Sequence, residues 1–331
     1  MIITHNTVKT APKLISDFLT YNEIVRGKST KSINEYYTDL RTFFRYILYS
    51  NNMISLENFD DADISLVTID MIKNITLNDL YQFLIYCKNE RNNSPTTRAR
   101  KCSTLRIFFK YLYTNVNLID SNPAELLETP KLKKSLPKYL DLDESISFLK
   151  AVDGPFKERD FCIMVLFLNC GLRLSELCSI NLSHIHNNTI RVVGKGNKER
   201  TIYLNDACIE AINNYLPHRP CDGVLAKDKD ALFLSRRKSR ISNKTVQYIV
   251  KTTFEKAGLG GMGYSTHKLR HTAATLMYQK GGVDIRVIQN ILGHENLGTT
   301  QIYTHVSDKQ VENAAKSNPL AAINSKNIDK Q

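Results

Sequence analysis

Apolar residues in the first third of the chain recur with the period of a helix. Within residues 11–25, Leu14, Phe18, Leu19 and Ile24 fall on one face. Residues 31–49 repeat the pattern with Ile33, Tyr36, Tyr37, Leu40, Phe44, Ile47 and Leu48. A third helix is predicted over 76–91, with Thr76 as N-cap and Asp79 three residues on. A fourth begins after Ser94-Pro95 and runs to about Asn115, since proline suits the first helical turn. Helices of this number and length predict a small bundle. The intervening residues 51–75 are polar and acidic, with Asp60, Asp61 and Asp63, and read mainly as an irregular connection.

The run from Glu128 to Pro137 breaks the pattern, because prolines 130 and 137 bracket a basic, poorly periodic segment. It reads as a linker over 129–137 between a domain at 1–128 and another at 138–331, with Lys133 and Lys134 able to follow a phosphate backbone. In the second domain, Asp141 and Asp143 are placed to cap a helix through Leu149. Residues 159–169 are apolar almost all round, so that helix belongs at the centre of a core, ended by Gly171. Residues 189–193 and 200–204 read as short strands of a hairpin joined by a polar turn. Helices follow at about 206–216, 242–257, 266–279, 284–292 and 297–303, with a last one around 308–315. The fold class is therefore mostly α with a small β-hairpin.

Charge adds a partner to this picture. The 331 residues carry a formal net charge of +12, which points to a polyanion. Residues 1–130 are nearly balanced, 15 Lys and Arg against 14 Asp and Glu, whereas 131–331 hold 30 against 19. Within the balanced part, 88–110 concentrate basic residues, among them Arg98, Arg100, Lys101 and Arg106, against Glu90 alone. That cluster reads either as a DNA-facing surface or as a solvated helix face. The run Arg236, Arg237, Lys238 and Arg240 invites the same two readings. Seven cysteines without a CxxC pair argue against a disulfide framework or a zinc site, and Cys102, Cys162, Cys170 and Cys178 sit where a thiol packs as a small hydrophobe. With no signal-like start and no apolar run of membrane length, the chain reads as cytoplasmic, with no membrane partner.

Several polar residues stand in apolar surroundings. Arg173 follows Gly171-Leu172 with Glu176 three residues on, His267 and Arg270 share a helix face, His294 sits at a helix end, Tyr303 lies nine residues later, and Lys195 is at the hairpin tip. Each has a structural alternative: an ion pair holding the fold, a capping or core histidine, an interface tyrosine, a solvated turn lysine. His267 and His271 have the spacing of a zinc pair, but no glutamate lies between them and no carboxylate or cysteine nearby completes a site, so no metal is expected. Together, two arginines, two histidines, a lysine and a tyrosine suit phosphoryl transfer without a metal. Guanidinium groups hold non-bridging oxygens, imidazoles handle protons, and a phenol can attack and keep a covalent bond.

These residues sit in four ordered motifs: Cys170-Gly171-Leu172-Arg173-Leu174-Ser175-Glu176-Leu177, Val193-Gly194-Lys195-Gly196-Asn197-Lys198-Glu199-Arg200, His267-Lys268-Leu269-Arg270-His271-Thr272, and the run from Leu292-Gly293-His294 to Thr300-Gln301-Ile302-Tyr303-Thr304-His305-Val306. On them the sequence resembles the tyrosine recombinase/phage integrase family, most closely its XerC/XerD-type members. The resemblance implies an N-terminal four-helix, SAM-like core-binding domain and a C-terminal catalytic domain forming a C-shaped clamp around DNA. It implies Tyr303 as nucleophile making a 3′-phosphotyrosyl bond, Lys195 as acid at the leaving oxygen, Arg173 and Arg270 as phosphate clamp, His267 in proton transfer, His294 on the phosphate, and Glu176 orienting the cluster. His271 and His305 read as structural. Neither cofactor nor ATP is expected. The implied partners are a double-stranded recombination site and further copies of the chain as a tetramer on DNA, with Ser307–Ile323 docking into a neighbour or folding back on its own domain. A second Xer-like recombinase and a DNA translocase are candidate partners. Chromosome dimer resolution is the implied role; the alternatives are an integrase of a phage or mobile element and, remotely, a non-enzymatic helical DNA-binding regulator.

Overall fold

The computed structural model describes residues 12–131, 138–194 and 199–293. The chain divides into two compact units, Met1–Lys134 and Ser135–Gln331. Among the described residues, no helix is long and apolar enough to cross a membrane.

In the first unit, α1 (Lys13–Ile24), α2 (Thr30–Ser50), α3 (Ile69–Lys73), α4 (Leu77–Asn89) and α5 (Pro95–Thr114) surround one aromatic-rich core. The caps act where the sequence pattern places them. Thr76 and Asp79 close a reciprocal capping box on α4, and the Ser94 hydroxyl accepts from the Thr97 N–H ahead of Pro95. Phe18, Phe43, Phe44, Phe83, Phe108 and Phe109 are fully buried and meet mostly edge to face, with Phe43 and Phe83 centroids 5.1 Å apart.

Residues 51–75 are more ordered than expected. Asp63 caps a single 3-10 turn, Ile64–Leu66, and Thr68 caps the short helix α3. Phe59, Ile64, Ile72 and Ile75 are buried in the same core as α2 and α4. Their uneven spacing hides this from a periodicity test, because each fills a separate gap instead of forming a stripe. Asp60 pairs with Arg91 at 2.9 and 3.0 Å, and the Arg45 Nε donates to the Ala62 carbonyl at 2.9 Å.

One buried carboxylate ties α2 to α5. Asp39 is 1% exposed and accepts from Lys101 Nζ at 3.1 Å, from Thr104 Oγ1 at 2.9 Å and from Arg100. The expectation that Lys101 faces DNA is corrected: its ammonium lies inside the bundle, between Asp39 and the ring of Phe83 5.8 Å away. Helical spacing from exposed neighbours gave no warning, since Asp39 is 62 residues distant in the chain.

The second unit is built around α7 (Lys157–Cys170), in which every residue from Cys162 to Phe167 is buried. Before it comes α6 (Leu142–Lys150), capped by Asp141 with Glu144 in a capping box, Asp143 lying within the first turn. After it come α8 (Leu174–Ser179) and an antiparallel sheet ordered β1 (Ile185–His186), β2 (Thr189–Val193) and β3 (Glu199–Tyr203). β2 and β3 pair from Thr189 with Tyr203 to Val193 with Glu199. Then follow α9 (Asp206–Tyr215), α10 (Asn243–Lys256), α11 (Thr266–Gln279) and α12 (Ile285–Leu292). The face of α7 is shared between α9 and α11, which is why it carries no polar stripe. The predicted helices at 297–303 and 308–315 lie outside the described residues.

Asp39→Ala should destabilise the first unit by about 3–5 kcal/mol, because it leaves the Lys101 ammonium buried without its carboxylate. Chemical denaturation of the variant beside Lys101→Met/Asp39→Leu checks this; the double variant should recover most of the loss.

Candidate active site

Three separate elements, α8, β3 and α11, meet at one carboxylate. Glu176, on the first turn of α8, is 1% exposed. Its Oε1 accepts from Arg173 Nη1 at 2.7 Å and from Arg200 Nη1 at 2.6 Å. Its Oε2 accepts from the Arg173 backbone N–H at 2.7 Å and from Arg200 Nη2 at 2.9 Å. Arg270 Nη1 stands 3.8 Å from the same oxygen. Burial alone pushes the Glu176 carboxyl up. The hydrogen bonds and charges of Arg200 and Arg173 outweigh it and lower the group to about 2.

The arginines are also anchored away from the carboxylate. Arg270, on α11, donates to the carbonyls of Gly171 and Leu292, both at 2.6 Å. Arg173 Nη2 donates to the Gly293 carbonyl at 2.9 Å, and Arg200 Nε to that of Ile291 at 3.1 Å. The C-terminal turn of α12 is therefore gripped by three guanidinium groups. This turn lacks intrahelical partners for its carbonyls, and the arginines supply them.

Two glycines let the backbones approach. Gly171 ends α7 at φ 59°, and a Cβ there would stand 2.7 Å from Leu292 Cδ2. Gly293 ends α12 at φ 64°, where a Cβ would meet Arg200 Cδ at 3.2 Å. A side chain at either position meets both backbone strain and a neighbour.

Of the predicted site residues, the structure brings Arg173, Glu176 and Arg270 together. His267 lies exposed on the first turn of α11, one turn before Arg270. Lys195, His294 and Tyr303 lie outside the described residues, as do Lys133 and Lys134. His271 is half-buried. Burial first, then the charges of Lys268, His267 and Arg270, lowers it to about 4, so it is neutral at ordinary pH.

Arg200 is a site residue that the sequence pattern does not single out, although it ends the second motif. Its signal is positional: it shares the inward side of β3 with buried Ile202, so a charged residue there requires a buried partner.

The remaining basic candidates separate. Arg236, Arg237 and Lys238 are exposed on a turn closed by Ser235 N–H to Ser239 O at 2.8 Å. Arg240 is half-buried and donates to the carbonyls of Cys178 and Ile180, both at 3.2 Å, and to Asn181 Oδ1 at 2.6 Å. Arg106 donates to Thr129 Oγ1 at 2.8 Å and to the Leu127 carbonyl, bracing the end of the first unit. Arg100 is committed to Asp39, and Arg98 is half-buried.

Residues 138–310 match the model of the phage integrase family, and the chain belongs to that family. It is 53% identical over 311 residues to tyrosine recombinase XerC of Caldanaerobacter subterraneus subsp. tengcongensis, covering 94% of this chain and 88% of that protein. Identity to tyrosine recombinase XerD of Proteus mirabilis is 33% over 314 residues, covering 93% of this chain and 93% of that protein. Among solved structures, the chain is similar to the XerH site-specific recombinase bound to its difH substrate in a pre-cleavage complex, with a TM-score of 0.66 and 25% identity, over 92% of this chain and 84% of that one.

Stability should fall in two steps on acidification. His271, neutral in the fold, resists protonation that the unfolded chain accepts, so stability is lost as pH drops from about 6.5 toward about 4. Glu176, ionised in the fold, contributes stability above about 4.5 that is lost as pH falls toward about 2. Denaturation midpoints across this range should lose the upper step in His271→Gln and the lower step in Glu176→Gln.

Proposed function

We propose that this chain is a Xer-type site-specific recombinase that cleaves and rejoins DNA through a phosphotyrosyl intermediate. The observation that carries the proposal is the guanidinium cluster on Glu176, in a chain so similar to XerC over nearly its full length.

In this reading the Tyr303 phenol attacks the scissile phosphorus while His267 takes its proton. The bond from phosphorus to the 5′-oxygen breaks, and Lys195 supplies the proton that leaves with that oxygen as a hydroxyl. The products are a 3′-phosphotyrosyl ester and a free 5′-hydroxyl. Because the ester conserves the phosphodiester's energy, a different 5′-hydroxyl reverses the step and joins a new strand, with no ATP or metal consumed. Arg173 and Arg270 offset charge on the non-bridging oxygens, and His294, next after the Gly293 carbonyl that Arg173 holds, donates to the same phosphate.

Resemblance to recombinases that act on paired sites supports a tetramer on two DNA duplexes, a first domain that grips the core site, a catalytic domain from 138 onward and docking by Ser307–Ile323. Chromosome dimer resolution in the cytoplasm fits the XerC likeness, with a second Xer-like recombinase and a DNA translocase as partners. The exposed Arg236, Arg237 and Lys238 are the best placed of the basic candidates for phosphate contacts.

Two experiments test these statements. A suicide substrate nicked beside the cleavage point should trap a covalent protein–DNA adduct, and Tyr303→Phe should abolish it while duplex binding persists; an adduct formed by that variant refutes the nucleophile. Neutralising Arg236, Arg237 and Lys238 should reduce the slope of log binding constant against log salt by about 0.9 for each phosphate the turn no longer neutralises. An unchanged slope assigns that turn to solvent.

A further inference from the structure

We infer that Arg200 is a positioning residue that holds the charge of Glu176, leaving the charges of Arg173 and Arg270 to the phosphate. The inference rests on the reading of those two arginines as the phosphate clamp.

Three arginines share one carboxylate, so the cluster carries a net charge of two positive. The three partners are not equivalent. Arg200 alone presents both terminal nitrogens to the carboxylate, at 2.6 and 2.9 Å, in the parallel two-bond geometry that fits a guanidinium to a carboxylate. Arg173 gives one side-chain nitrogen, and Arg270 stands at 3.8 Å. Arg200 is also more enclosed than Arg173, with side-chain exposures of 15% and 32%. The pairing occupies both Glu176 oxygens, while Arg173 remains the most open of the three cations and Arg270, 7% exposed, the most enclosed.

Without Arg200, the carboxylate would be balanced by Arg173 and Arg270 themselves. The net charge of the cluster would fall to one positive, Arg173 would carry more of the Glu176 charge it already contacts, and Arg270 would be drawn in from 3.8 Å. A phosphodiester is already an anion, and its non-bridging oxygens gain charge as the phosphorus becomes five-coordinate. A loss of positive charge therefore weakens the transition state more than the bound substrate. The Arg200 hydrogen bond to the Ile291 carbonyl adds a geometric component, because it holds the turn whose Gly293 carbonyl receives Arg173.

The test measures single-turnover adduct formation by the full chain on two suicide substrates. One has an ordinary scissile phosphate; the other is a methylphosphonate, in which a methyl group replaces one charged non-bridging oxygen. Arg200→Met should slow adduct formation on the phosphate by about 10²-fold, with duplex affinity nearly unchanged. On the neutral methylphosphonate, the variant should approach the wild-type rate. Adding Glu176→Gln to Arg200→Met restores the two positive charges, so the double variant should fold well and outpace Arg200→Met on the phosphate. Arg173→Ala, run in parallel, tests the clamp itself and should also be relieved by the methylphosphonate. If Arg173→Ala is relieved but Arg200→Met is equally slow on both substrates, Arg200 is only a structural brace and the inference fails. It also fails if the double variant is no faster than Arg200→Met. If Arg173→Ala shows no relief, the clamp reading beneath it is overturned.

Discussion

A carboxylate removed from water must be matched by cations, and in this protein that requirement organises the second unit. Glu176 is 1% exposed, and three guanidinium groups from different parts of the chain converge on it. An isolated buried carboxylate would take up a proton; here the surrounding donors keep it ionised. Because the same arginines also hold the carbonyls at the ends of α7 and α12, the ion cluster and the backbone turns form one network. Removing any partner leaves either a buried charge or open helix carbonyls.

The surrounding fold serves that convergence. The apolar helix α7 fixes the point where the chain turns at Gly171, α11 brings Arg270 from the other side, and β3 delivers Arg200 edge-on. Gly171 and Gly293 sit where a side chain would meet Leu292 and Arg200, so close approach of neighbouring groups is built into these two turns. Fixed guanidinium groups are the protein's means of supplying positive charge at defined points.

The first unit repeats the motif of a buried carboxylate under cations, for a different purpose. Asp39 binds Lys101, Arg100 and Thr104 and thereby staples α2 to α5. Basic residues clustered in sequence thus divide by burial into those that hold the fold and those that face solvent. Lys101, Arg106 and Arg240 spend side-chain donors on the protein itself, whereas Arg236, Arg237 and Lys238 stand exposed on their turn. Composition reports the total charge and is blind to this partition, because the acceptors are supplied by residues far along the chain.

The sequence alone determined what local rules govern. Helical periods placed α1 and α2, Thr76 and Ser94-Pro95 marked the starts of α4 and α5, an all-round apolar run marked α7, and β-branched runs marked the hairpin. The ordered motifs carried the family, since four matches in register leave little room for chance. They also singled out Arg173, Glu176 and Arg270. Residues 51–75 escaped, because Phe59, Ile64, Ile72 and Ile75 fill gaps without a common period. Only the tertiary structure decided which charges meet. It put Lys101 inside the bundle against a residue 62 positions away, and it gave Arg200 to Glu176 across 24 positions. The physical reason is that periodicity reports which face of an element is buried, whereas the partner of a buried charge depends on how separate elements pack.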